Sequence, residues 1–530
     1  MKYINTVCFV RTYDYYGNYD PKNLVSLKEQ MKLYNRLGLP ATYLLEYDAL
    51  EREAFREAIY QNSKLSDELG AWFEVTGGLC EAAGVEWRSR RDRDWDFYVD
   101  PGFVMSYTLE EKERLCDALM GQFKSCFGAY PRTVGAWLLD SDTMEYLNRR
   151  YGMDAYIICR EQWGMDGYTL WGGPYFGGYY PSRGNMLTPA QKRDEQLFVP
   201  VFRMYVSDPI YSYYEFSHGE LSGIDYHLFS QEPYWKCGQT PGWVRWCFET
   251  LFGEDRRGFY YYQLGQETGF GYGKPLSDAL AMQCEYALAN RERYDYVFAT
   301  VSEMGRDFRK IYRSTPENFV AALTDWAQEA EGQPRENQSV WYNSARYRVN
   351  VYVRGQELRF RDIHLFDDSY TDRYCKDPCR KQWAVYDNLP VVDGVRFTEG
   401  CDEGEIPFDN DFSGRRYGEA AGLYLAEPAR ITGAGEREDG RFCVELNGGA
   451  YEIVFYPERI EIEKHAGKWE PAFSLRFRHK ENLPYMIEKK RKEIRYRHRD
   501  FTYSMVLKAG KIAEDRIWSQ ERKIIVSFKA

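Results

Sequence analysis

The sequence predicts an α/β fold, a (β/α) barrel of seven or eight units with a C-terminal antiparallel β-sandwich. Three observations predict it. Short apolar runs alternate with helix-period segments up to about position 312, the pattern of a parallel sheet wrapped by helices. Several of those runs end on a carboxylate, which is how such barrels present reactive groups at one rim. Beyond a polar, turn-rich stretch the period becomes two, as in Arg346-Tyr-Arg-Val-Asn-Val-Tyr-Val-Arg354 and Ala450-Tyr-Glu-Ile-Val-Phe-Tyr456. The expected division is a barrel over 1–325, a linker over 326–340 and a sandwich over 341–530.

The first strand is expected over 4–10, before a polar, aromatic loop from Arg11 through Asp14 to Asp20. A helix follows, with Leu24, Leu27, Met31 and Tyr34 on one face, Gly38 as its C-terminal cap and Pro40 barring continuation. Strands at Ala41 to Leu45 and Leu69 to Phe73 end at Glu46 and Glu74. A long connection carries Trp87 and Trp95, and Thr108 with Glu111 has the spacing of a capping box. In Arg132-Thr-Val-Gly-Ala-Trp-Leu-Leu-Asp140-Ser-Asp-Thr-Met-Glu145, a fourth strand over 133–139 stops at Asp140, and Asp142 is the expected cap of the next helix. Ala155 to Cys159 is a fifth strand. After it comes a loop from Trp163 to Asn185, rich in glycine and aromatic rings, of a length that suits binding or covering a site. Further strands are expected at Leu197 to Tyr205, Phe259 to Leu264 and Tyr296 to Val301, with helices through 243–251 and 276–291. No G-x-G-x-x-G follows the first strand, which disfavours a nucleotide-binding sheet.

A net charge of −11 argues against nucleic acid, and the basic run 489–499 reads as a solvated strand face. No run has the roughly 18 apolar residues of a membrane span, and the amino terminus reads as a strand rather than an export signal. The 12 Cys are scattered, so reduced thiols in a cytoplasmic protein are expected. Aromatic content of 17%, with 46 Tyr and 14 Trp, supplies flat faces with polar edges suited to sugar rings. An oligosaccharide is therefore the expected partner. Self-association into a homo-oligomer stays open.

Three chemistries can be weighed by residue type. Of the six His only His218 and His227 fall in the barrel, no His-x-x-x-His occurs, and Cys375-Lys-Asp-Pro-Cys379 stands alone, so neither a metal nor another cofactor is expected. No G-x-S-x-G marks a serine nucleophile. Carboxylates do stand at strand ends: Glu46, Glu74, Asp140, Glu267 and Glu303, the last better read as helix N-terminal charge. Glycoside hydrolysis uses two carboxyl groups, one protonating the leaving oxygen and one attacking or activating water. Asp140 and Glu267 are the candidates.

The runs Glu68-Leu-Gly-Ala-Trp72-Phe-Glu74-Val, Ala-Gly-Val-Glu-Trp87-Arg88, Trp137-Leu-Leu-Asp140-Ser-Asp-Thr143, Cys159-Arg-Glu-Gln162-Trp-Gly-Met-Asp166-Gly and Gly265-Gln266-Glu267 resemble a bacterial family of uncharacterised proteins. That family is placed in the glycoside hydrolase/deacetylase (β/α) barrel superfamily and is distantly similar to family 57 glycoside hydrolases. The resemblance covers roughly residues 1–310 and implies a nucleophile after the fourth strand, at Asp140, and an acid/base after the seventh, at Glu267. Arg11-Thr-Tyr-Asp14 stands where those relatives carry a His-rich motif. The expectation is thus a glycoside hydrolase-like enzyme, retaining and metal-independent. Substrate contacts are expected from Arg11, Asp14, Trp72, Glu74, Trp137, Arg160, Glu161, Gln162, Trp163, Trp171, Gln266 and Tyr272. The alternatives are a non-catalytic carbohydrate-binding barrel and, less favoured, a polysaccharide deacetylase-like hydrolase.

Overall fold

In the computed structural model the first apolar run forms β1 (Lys2–Val10), buried along almost its whole length. Burial on both faces suits its largely apolar sequence, and the polar Asn5 and Thr6 within it are buried as well. The structure describes residues 1–14, 16–89, 92–159, 173–211, 231–253, 258–326, 336–382, 384, 387–394, 397, 420–465, 474–478 and 485–529. Next come α1 (Lys22–Leu37), β2 (Ala41–Leu45) and β3 (Glu68–Trp72), then α2 (Leu109–Phe127), β4 (Thr133–Ala136), α3 (Ser141–Tyr151) and β5 (Ala155–Ile158). Then follow β6 (Val201–Arg203), α4 (Pro241–Phe252), β7 (Tyr260–Leu264), α5 (Leu276–Ala289), β8 (Val297–Phe298) and α6 (Val301–Ile311).

The strands pair in parallel as β1-β2-β3-β4-β5-β6, with β7 and β8 also on β1, giving a curled half-barrel. Among the described residues no backbone ladder joins β6 to β7. Side chains stitch that seam instead: Tyr261 donates its hydroxyl to the Arg203 carbonyl at 2.8 Å, and the Tyr205 N–H reaches Gln263 Oε1 at 3.2 Å. The expected closed barrel of seven or eight units is thus open along one line.

Local signals act as their chemistry requires. Gly38 caps α1 in the left-handed region, and Thr108 with Glu111 forms the reciprocal capping box of α2. Glu303 does the same with Thr300 on α6. The cap of α3 departs from expectation: it is Asp140, accepting from the Thr143 N–H at 2.9 Å, not Asp142. β4 ends at Ala136 rather than 139, and Asp140 stands three residues before that N–H, the reach an N-cap side chain needs. After β7, Gly265 has φ +134°, and an added Cβ would lie 1.7 Å from the Val7 carbonyl oxygen. Only glycine fits, so the chain hugs β1 immediately before Glu267.

The C-terminal region forms two antiparallel sheets. One starts with β9 (Asn318–Ala322), β10 (Asn337–Asn343), β11 (Tyr347–Arg354) and β12 (Glu357–Leu365), and the other lies within 431–529. Val351 and Phe360 from the first share a core with Val444, Ile453, Met505 and Val526 from the second, which is sandwich packing. β9 precedes the expected linker and faces two ways: Phe319 and Ala321 enter the sandwich core, Val320 and Ala322 the barrel core. The sandwich also braces barrel loops. Tyr175 stacks on Trp341 at 4.3 Å, the Trp341 indole donates to the Pro209 carbonyl, and Arg361 donates to the Ile210 carbonyl.

Candidate active site

Side chains from the carboxyl ends of β1, β2, β3, β4 and β7 converge on Arg11, which is 3% exposed. Its Nε and Nη2 donate to the two oxygens of Glu74 at 2.9 and 2.8 Å. Its Nη1 faces both Glu267 oxygens at 3.4 and 3.3 Å. The guanidinium carbon lies 4.6 Å from the Trp95 ring centre and 5.1 Å from that of Trp137. Burial works against the charge on Arg11, but Glu74 and Glu267 outweigh it and push its pKa up.

Glu74 is heavily hydrogen-bonded. Besides Arg11 it accepts the indole N–H groups of Trp72 at 3.0 Å, Trp137 at 2.8 Å and Trp95. All of these are donors only, and the two carboxyl oxygens serve them as acceptors. Beside them Glu46 accepts both the N–H and the hydroxyl of Thr12 on Oε1, while its Oε2 is buried without a hydrogen-bond partner. Burial, with Glu74 and Asp48 as further negative neighbours, raises the Glu46 pKa well above the carboxylate range. Asp48 accepts from the Tyr13 hydroxyl at 2.9 Å and from the Thr76 hydroxyl at 2.6 Å, and burial raises its pKa too.

A stability test follows from Glu46. Its folded pKa is raised, so the folded chain keeps a proton that the unfolded chain gives up above about pH 4.3. Its contribution is therefore full in acid and declines as pH rises through the folded value. Glu46→Gln keeps an acceptor for Thr12 and cannot ionise, so the denaturant midpoint of the variant should gain on wild type between pH 4 and pH 8. A parallel pair of curves would show that Glu46 ionises as freely in the folded chain as in the unfolded one.

The residues expected from sequence separate into groups. Arg11, Glu74, Trp72, Trp137 and Glu267 come together. Trp72 is wholly buried and stacked on Phe9 at 4.6 Å, so its N–H rather than its face serves the cluster. Gln266 is buried next to Glu267, donating to Glu232 and accepting from the Tyr234 N–H. Asp140 lies elsewhere in the contact network: one oxygen caps α3, and the other meets Lys112 Nζ of α2 at 2.7 Å. Asp14 holds its own turn by accepting from the N–H groups of Tyr16 and Asn18. Tyr272 is half-buried beside Cys284 and Glu29. Arg160, Glu161, Gln162, Trp163 and Trp171 lie outside the described residues, as do His218 and His227. Sequence reasoning passed over Thr12, Tyr13, Asp48 and Trp95 as site residues. For Trp95 the signal was its place in an aromatic connection; for Thr12 there was none.

A divalent ion does not fit this cluster. The Arg11 guanidinium already lies between Glu74 and Glu267, where an ion would have to displace a paired cation. Among the described residues no group of three or more His, Cys, Asp or Glu could hold one. No described helix is long and apolar enough to cross a membrane.

No protein-family model and no curated protein matches the chain. Among solved structures it is similar to a putative glycoside hydrolase/deacetylase from Parabacteroides distasonis, at TM-score 0.48 and 14% identity over 71% of this chain and 87% of that one. It is also similar to a putative polysaccharide deacetylase from Mycobacterium smegmatis, at TM-score 0.35 and 11% identity over 58% and 91%. A probable polysaccharide deacetylase from Pseudomonas aeruginosa PAO1 gives 0.32 and 13% over 58% and 91%.

Proposed function

We propose that the chain is a carbohydrate-acting hydrolase whose reacting groups are carboxyls at the carboxyl rim of the half-barrel, working without a metal ion on an oligosaccharide. The observation that carries this reading is the buried Arg11 set between Glu74 and Glu267 beneath Trp95 and Trp137. Glycoside cleavage needs carboxyl groups held in unlike states, and unlike surroundings produce them.

Each group then has a role. Glu74, filled by its donors, is a positioning residue that fixes Arg11 and three indoles. Glu267, at a longer distance from the guanidinium, is the carboxylate we assign to the reacting bond. Glu46, whose surroundings favour the protonated form, is the proton donor we assign. Trp95 and Trp137, both buried, pack against the Arg11 guanidinium and hold it in place. Asp140 as nucleophile is the version that the family resemblance implies. The pairing with Lys112 and Thr143 supports an anchoring role for it instead.

The test is turnover on aryl glycosides, reducing oligosaccharides and acetylated oligosaccharides, read separately as new reducing ends and as acetate. New reducing ends that disappear in Glu267→Gln support the proposal. Acetate release, or glycan binding with no turnover in wild type, replaces it with a deacetylase or a binding protein.

A further inference from the structure

A cavity of about 560 Å³ opens at the end of the half-barrel opposite Arg11. Residues 190–198, which lead into the amino end of β6, form one wall, and the close of α6 with Arg313 forms the other. Four lining side chains are cationic, Lys192, Arg193, Arg309 and Arg313, and none is acidic. In a chain of net charge −11 that is a local inversion of sign.

Neighbouring acids do not cancel these charges. Arg309 shares the single carboxylate of Asp154 with Arg132 and Arg306. Lys192 stands 3.5 Å from Asp368 and remains 68% exposed. Arg193 and Arg313 form no ion pair among the described residues. Three rings complete the lining: Tyr180, Tyr312, and Phe198, which is 44% exposed with the Arg193 guanidinium 5.9 Å from its centre. Guanidinium forks match the oxygen pairs of phosphate and carboxylate. The volume is that of a whole small-molecule site, larger than one inorganic ion requires.

We propose that this cavity binds a ring-bearing phosphate ester, a sugar or nucleotide carrying at least two negative charges. The phosphates would lie among Arg193, Arg309 and Arg313, with the ring against Phe198. The site is separate from the Arg11 cluster, so its test does not depend on the proposed hydrolase activity.

Calorimetric titration of the full chain with ADP, glucose 1,6-bisphosphate, pyrophosphate and adenosine tests the proposal. At least one ring-bearing phosphate should bind more tightly than about 1 mM, more weakly as salt rises, while adenosine does not bind. Comparing ADP with the bisphosphate distinguishes a nucleotide from a sugar source. Arg193→Ala with Arg313→Ala should weaken binding by about tenfold or more, and Phe198→Ala should weaken the ring-bearing ligand more than pyrophosphate. All three residues are exposed, so an unchanged melting curve confirms the fold. Failure of both ring-bearing phosphates to bind, or full affinity in the double variant, would overturn the proposal.

Discussion

Glu267→Gln is expected to lower kcat by about two to four orders of magnitude while sugar affinity stays within about threefold. The amide keeps the shape and most of the polar contacts but cannot ionise to attack, activate water or take up a proton. The geometry around it should survive, because Gly265 fixes the backbone against Val7 and Glu74 fixes Arg11. Asp140→Asn is the comparison. It leaves an acceptor for the α3 cap and removes the charge opposite Lys112, which is only 3% exposed. That variant should lose stability and keep turnover within about tenfold of wild type. If instead Asp140→Asn abolishes turnover at unchanged stability, Asp140 is the reacting carboxylate. Wild-type turnover in Glu267→Gln would sink the proposal for Glu267.

Arg11→Met is expected to destabilise the chain by about 3–5 kcal/mol, because it leaves buried carboxylates without their counter-charge. The removed contacts are short, two-pronged and almost free of solvent, the circumstances in which an ion pair matters most once formed. A second substitution separates charge from packing. Adding Glu74→Gln to Arg11→Met should recover a sizeable part of the loss, since the carboxylate left unpaired is then neutral. Denaturant midpoints of the two variants and wild type decide this. A double variant no more stable than Arg11→Met would assign the cost to lost packing over Trp95 and Trp137.

Much of the parallel sheet was legible in the sequence, because β1 and β2 are largely apolar runs with a glycine cap and a proline between them at Gly38 and Pro40. Glu267 was legible too, as a carboxylate just past a strand and among glycines. The partners of each carboxylate were not. Lys112 reaches Asp140 because α2 lies against α3, and no periodicity encodes that meeting. Trp95 reaches Glu74 from an irregular connection 21 residues further on. So Asp140 and Glu74 looked equivalent as strand-end acids, although one caps and braces a helix while the other anchors the cluster. β9 hid for a different reason: its Asn-Phe-Val-Ala-Ala sequence lacks the polar–apolar alternation of a strand such as β11.

That doubly committed strand ties the fate of two architectures together. Phe319 and Val320 are adjacent in the chain, yet each completes the interior of a different unit. Melting either half strips one side of the same five-residue segment. Calorimetry of the whole chain should therefore record one cooperative endotherm rather than two, with van 't Hoff and calorimetric enthalpies in agreement. A fragment cut after residue 325 would carry Phe319 and Ala321 bare to water and should be recovered as aggregate.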